Sequence, residues 1–118
     1  MHVSGLGQLE HLDLWHTQIG SAGLEPLAGL KQLETLDLTQ SGISDAGIQH
    51  LAGLASLRVL NLSENRITDA SVEYLKRLTQ LRTLIVDSTG LLQGRHQKLS
   101  DGALALQAAL PDLEIRRY

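Results

Sequence analysis

The chain has 118 residues, 42% of them hydrophobic, which is enough for one domain with a continuous core and too few for two ordinary ones. A formal charge of -3 and the absence of Cys speak against a nucleic-acid-binding domain, a disulfide framework and a thiolate metal site. The first residues lack the charged start and apolar run of a signal peptide, and no stretch reaches the length of a membrane span, so the expectation is a soluble, cytoplasmic protein.

Leucine supplies most of the apolar content, whereas Phe is absent and Trp occurs once. Such a core must be built from many similar aliphatic contacts. Val3 and Leu6 occupy the positions that Leu27 and Leu30 occupy one period later. The chain is therefore expected to open inside the helix of an incomplete repeat, residues 1–8, without a cap for its terminal core.

From Leu9 onward one phrase recurs every 24 residues: "LEHLDLWHTQI" at Leu9, "LETLDLTQSGI" at Leu33, "LRVLNLSENRI" at Leu57 and "LRTLIVDSTGL" at Leu81. A fixed period of this length is the signature of a solenoid, in which each unit buries its apolar face only against its neighbours. The pairs Leu12 and Leu14, Leu36 and Leu38, Leu60 and Leu62, and Leu84 and Val86 alternate inward along short strands. Each strand leads to a segment such as "SDAGIQHLAGLAS", which spaces Ile48, Leu51 and Leu54 for one face of a short helix. Ser44, Thr68 and Ser100 stand where an N-cap belongs, followed by Asp45, Asp69 and Asp101 at the positive end of the helix dipole. In the first repeat Gly20 replaces the capping hydroxyl and Pro26 removes a backbone donor, so a short or irregular helix is expected there.

These phrases resemble the leucine-rich repeat family, pattern LxxLxLxxNxL, in its bacterial 24-residue form. The resemblance covers nearly the whole chain. It implies an α/β fold, a right-handed β-α solenoid forming a horseshoe arc, with a parallel sheet on the concave side and short helices on the convex side. The corresponding division is repeats 9–32, 33–56, 57–80 and 81–112 and a terminal strand 113–118, within a single domain. Where the family has a turn asparagine, this chain has Thr17, Ser41, Asn65 and Thr89. Hydroxyls reach less far, which leaves the turn geometry open.

Leu81 and Leu113 lie 32 residues apart, eight beyond the period. The extra residues fall around Gly90–Lys98, expected as a loop leaving the sheet at a concave-side rim, with Leu91 and Leu92 able to pin it to the core. Gln107 replaces the leucine of the earlier helices, which predicts a polar spot on the last helix's inner face. Pro111 should stop that helix and "LEIRRY" form a charged edge strand.

With the leucines inward, the concave face carries columns of outward residues: His11, Thr35, Val59 and Thr83; Asp13, Asp37, Asn61 and Ile85; Trp15, Thr39, Ser63 and Asp87. Glu10, Glu34, Arg58 and Arg82 run along one flank, and His16, Gln40, Glu64 and Ser88 along the other. Like charges on neighbouring strands repel, so Asp13 beside Asp37 is read as a site for a basic partner segment. Trp15 would be its aromatic anchor, and simple solvation of the face is the alternative. An open sheet provides no desolvated carboxylate pair for catalysis; His11 with Asp13 is a weak metal set, and "GLLQGRHQK" lacks the phosphate-loop pattern.

The family implies non-enzymatic binding of a protein or peptide through the concave sheet, with no cofactor, no metal, no nucleic acid and no membrane. The candidate contacts are His11, Asp13, Trp15 and Asp37 at the centre, Glu34, Arg58 and Arg82 as a charged rim, and Arg95 and His96 on the inserted loop. Two other readings stand beside it. One is a capping or oligomerising segment of a longer repeat protein, associating through the edge at Val3 and Leu6. The other is a substrate-recruiting effector, which rests on fold analogy alone.

Overall fold

The structure is a computed structural model that describes residues 10–94 and 98–116. Five three-residue strands, β1 (His11–Asp13), β2 (Thr35–Asp37), β3 (Val59–Asn61), β4 (Thr83–Ile85) and β7 (Glu114–Arg116), form one parallel sheet in the order β1-β2-β3-β4-β7. Between β4 and β7 a separate antiparallel pair, β5 (Leu92–Gln93) and β6 (Lys98–Leu99), interrupts the pattern. The central strand residues Leu12, Leu36, Leu60 and Leu84 pair across the sheet, each 24 residues from the last, and are continued by Ile115.

The period-2 alternation sets the layers. Leu12 and Leu14, with their counterparts up to Leu84 and Val86, are buried, and Leu33, Leu57, Leu81 and Leu113 close the core below them. Helical segments pack on the opposite side: a 3-10 helix at Ser21–Gly29, α1 (Asp45–Ile48) running into Gln49–Leu51, Asp69–Ser71 running into α2 (Val72–Leu75), and α3 (Asp101–Ala109). Ile48, Leu51 and Leu54 are fully buried, as their spacing predicts. This arrangement is a β-α solenoid.

Several local expectations are corrected. The first helix is irregular, as expected of a segment holding Pro26, which supplies no backbone donor: it is a 3-10 helix, and it runs nine residues. Ser44 makes no side-chain capping bond; its hydroxyl lies 3.1 Å from that of Ser21 in the preceding repeat. Thr68 and Ser100 cap as expected, accepting from the N–H groups of Ala70 and Ala103. The polar spot expected from Gln107 is not on the inner face. As a regular α-helix, α3 buries Ala103 and Leu106 and turns Leu104 outward, 51% exposed, while Gln107 is half-buried.

The inserted segment leaves the main sheet and is held as a hairpin, with Leu92 opposite Leu99 and Gln93 opposite Lys98. Leu91 and Leu92 are both buried and pin its base. Of the helices among the described residues, none is long and apolar enough to cross a membrane.

The turns after the strands show how hydroxyls replace asparagine. Thr17 donates to the carbonyl of Leu14, and Thr89 to that of Val86, each at 2.7 Å within its own repeat. Ser41 reaches the carbonyl of Leu14 in the preceding repeat at 2.7 Å. Asn65 does more: its amide donates to Leu38, Leu62 and Ser63 carbonyls, and its Oδ1 accepts the N–H groups of Ser41 and Ile43. The same overall turn survives in all four repeats with a single full staple at the centre.

Candidate functional site

Strand pairing puts the residues expected to face outward in register: His11, Thr35, Val59, Thr83 and Glu114 in one column, and Asp13, Asp37, Asn61, Ile85 and Arg116 in the next. Not all of them are exposed as expected: Ile85 is buried, and so are Thr39 and Ser63 of the third column. Trp15 lies just beyond β1 and is 58% exposed. Its indole ring sits 5.7 Å from the imidazole of His16, tilted by 42°. The tryptophan is a surface residue, since Leu12 and Leu14 occupy the core positions beside it.

The carboxylates of Asp13 and Asp37 have a local task that the sequence reading missed. Asp13 Oδ1 accepts the N–H of Trp15 at 2.9 Å, and Asp37 Oδ1 accepts the N–H and hydroxyl of Thr39 at 2.9 and 2.7 Å. Asn61 makes the equivalent bond to Ser63 N–H at 3.0 Å. Asp and Asn commonly bond backbone two residues on, so the column of acids is also a column of turn braces. Its signal in the sequence is the repeat of Asp, Asp and Asn at one position of the period.

On the flanks, Glu34 is half-buried, whereas Glu10, Arg58 and Arg82 are exposed. Arg82 pairs with Asp112 at 3.1 Å, both side chains being largely exposed, a type of pair that contributes at most about 1 kcal/mol. Glu34 and Arg58 line one shallow groove with Ala55, Ser56 and Gln80. The structure thus brings His11, Asp13, Trp15 and Asp37 onto adjoining strands, with Glu34, Arg58 and Arg82 at their edge. Arg95 and His96 lie outside the described residues.

Two further rows named in the sequence carry features that it did not reveal. His16, Gln40, Glu64 and Ser88 all adopt left-handed backbone, with φ of 61°, 50°, 60° and 57°, and a groove of about 530 Å³ runs beside the first three. On the helix side, Asp45 accepts from Thr68 N–H, the Thr68 hydroxyl and the Ser71 hydroxyl, and Asp69 accepts from the Ser100 hydroxyl and Gly102 N–H. Burial raises the Asp45 pKa, but the Ser71 and Thr68 hydrogen bonds outweigh it and hold the carboxyl below its ordinary value. These acids join repeats as well as favouring helix dipoles, and their 24-residue recurrence is the signal that could have revealed it. Among the described residues, no group of three or more His, Cys, Asp or Glu is arranged to hold a metal.

A parallel strand on one side, a short helical segment on the other and a leucine-built core in 24-residue register define the chain as a repeat solenoid with an open polar sheet face. The leucine rich repeat family model matches residues 7–67 and again residues 31–91, and the chain belongs to that family. Leucine-rich repeat domains generally mediate protein–protein interaction and are typically non-enzymatic.

Among solved structures, the chain is similar to an internalin (inlF) from Listeria monocytogenes, with 22% identity and a TM-score of 0.70 over 98% of this chain and 30% of that one. It is also similar to internalin C2 (inlC2) from the same organism, with 27% identity and a TM-score of 0.60 over 96% of this chain and 53% of that one. The C-terminal domain of tropomodulin from Caenorhabditis elegans shares the fold at 16% identity, with a TM-score of 0.65 over 95% of this chain and 75% of that one. The chain therefore spans about a third to a half of the two internalins it resembles. No curated protein matches it.

Proposed function

We propose that this chain binds a protein or peptide through the concave sheet face. Trp15, His11, Asp13 and Asp37 form the centre of the contact, and Glu34, Arg58 and Arg82 form its charged rim. Arg95 and His96, carried by the inserted segment, act as a specificity element. The single observation that carries the reading is the exposed Trp15 indole beside the acidic column of β1 and β2. A large aromatic that adds no core packing supplies contact area at low entropic cost, and such residues dominate interface energetics. Asp13 and Asp37 each use one carboxylate oxygen in turn bracing, leaving the other to accept from a basic segment of the partner.

The mechanism is rigid presentation. A sheet held by repeat-to-repeat hydrogen bonds loses little conformational freedom on binding, so a few anchors suffice. No catalytic step is assigned to the face. The test is affinity capture from a lysate of the source organism, comparing the wild type with a Trp15→Ala, Asp13→Lys double variant of unchanged circular dichroism. A partner retained by the wild type and lost by the variant supports the reading, and partners indifferent to the variant overturn it. Val3 and Leu6, on which the alternative of self-association rests, lie outside the described residues.

A further inference from the structure

The groove beside the left-handed row meets the Trp15 face at His16 but has its own lining and its own chemistry. Two rows of residues, offset by two positions in each repeat, line it and are taken as its two walls: His16, Gln40 and Glu64, and Gln18, Gly42 and Arg66. Gly42, at φ 73°, contributes no side chain, so the second wall is open at its middle. The floor offers nothing unsatisfied. Ile43 is buried, Asn65 uses its amide in five hydrogen bonds, and no buried side-chain polar atom lacks a partner among the described residues.

Recognition therefore falls to the walls. His16 Nδ1 and Gln40 Oε1 are bonded to each other at 2.9 Å, which fixes one wall. Glu64 and Arg66 are both exposed, and the ion pairs of the described residues are Arg82 with Asp112 and Arg116 with Glu114. An uncommitted carboxylate thus stands on one wall and an uncommitted guanidinium on the other, at the same end of the groove. With His16, Gln18, Gln40, Gly42, Ile43, Ser44 and Asn65 as the rest of the lining, the groove carries one acidic and one basic side chain and is strongly dipolar at one end. An apolar ligand would gain little from such a lining.

The groove crosses three repeats, roughly 10 Å at the ~4.8 Å spacing of neighbouring strands. That length exceeds one amino acid and accommodates about three residues of extended chain at ~3.3 Å each. Consecutive side chains of an extended segment point to opposite sides, so a basic residue directly followed or preceded by an acidic one places its cation on the Glu64 wall and its anion on the Arg66 wall. The guanidinium fork suits a carboxylate by its bidentate geometry. We infer that the groove between His16–Gln40–Glu64 and Gln18–Gly42–Arg66 is a second binding site, taking an extended polar peptide segment with adjacent basic and acidic residues.

The experiment is a backbone amide NMR titration of the full chain with four acetylated, amidated peptides: Gly-Ser-Lys-Asp-Ser-Gly, Gly-Ser-Asp-Lys-Ser-Gly, and the two in which Lys and Asp are replaced by Gln and Asn. One charged order should shift the amides of Gly42, Ile43 and Arg66 and bind three- to tenfold more tightly than its neutral analogue. Arg66→Ala should abolish that preference, and the Glu64→Arg, Arg66→Glu exchange should transfer it to the opposite order. Both altered side chains are exposed, so a dispersed spectrum is expected for each variant, and Arg66→Ala alone decides the matter if the exchange does not fold. Equal affinity for charged and neutral peptides, shifts confined to the residues around Asp13 and Trp15, or no shift at millimolar peptide would overturn the inference. His11→Ala, a change on the concave face outside the groove lining, should leave these shifts unchanged, which separates this site from that face.

Discussion

Asn65 Oδ1 accepts the N–H of Ser41, 24 residues earlier, at 3.1 Å, while the Asn65 amide nitrogen donates to the Leu38 carbonyl at 2.7 Å. One buried side chain therefore satisfies donors and acceptors of two repeats at once. Replacing it by Ala leaves buried backbone groups unpaired, each costing about 1–3 kcal/mol. Asn65→Ala is expected to lower unfolding stability by roughly 2–4 kcal/mol, measured by urea denaturation. Thr17→Ala removes one partly buried bond at the exposed end of the row and is expected to cost about 1 kcal/mol or less.

Asp45 gives the fold a pH dependence. Its hydrogen bonds to Thr68 and Ser71 hold the folded-state pKa below the ordinary carboxylate value. A depressed folded pKa contributes stability that is fully present above the unfolded value and is lost as the pH falls through the folded one. The stability difference between wild type and Asp45→Asn should thus be constant above about pH 5 and shrink below about pH 4. Chemical denaturation across pH 2.5 to 7 checks this, and a gap that widens on acidification would be the wrong sign.

The left-handed row gives a pair of opposite effects at one position. Ser88 has φ 57°, where an L side chain costs roughly 1–2 kcal/mol and Gly costs little beyond its unfolded-state entropy. Ser88→Gly should stabilise by about 0.5 kcal/mol, whereas the β-branched Ser88→Val should destabilise by about 1 kcal/mol or more. Thermal unfolding of both variants distinguishes this from any loss of a side-chain contact, which would move them in the same direction.

Gly90 marks where the inserted segment leaves the period. A Cβ there would stand 2.6 Å from the Ile67 carbonyl oxygen, a backbone atom of the neighbouring repeat that its own N–H also contacts at 2.6 Å. Gly90→Ala should cost about 1–3 kcal/mol and raise hydrogen exchange in β5 and β6 before the main sheet. Exchange mass spectrometry reads that order.

What was legible in the sequence follows from which interactions repeat. The leucine phase set strand positions, register and outward columns, because a 24-residue period with period-2 alternation admits one stacking. Hydrogen bonds that cross from repeat to repeat were hidden, since Asp45 and Asp69 looked like residues favouring their own helices and also accept from the next repeat. The last helix departed because α-helical and 3-10 windings place different residues inward: Leu106 took the role that spacing assigned to position 107. Asp13 and Asp37 were read as recognition groups or solvated surface, although the N–H groups two residues on were within their reach. The left-handed positions carry His, Gln, Glu and Ser, and no glycine marked them.

The central claim is that the Trp15 face of the sheet meets the partner. The most direct measurement places a photoreactive benzoylphenylalanine at position 15 and, separately, at exposed Lys76 beside α2, then irradiates both proteins with source lysate and identifies the adducts. The account predicts a protein adduct from position 15 that is competed by the wild type and absent from position 76. Adducts formed equally from both positions, or only from position 76, would contradict it.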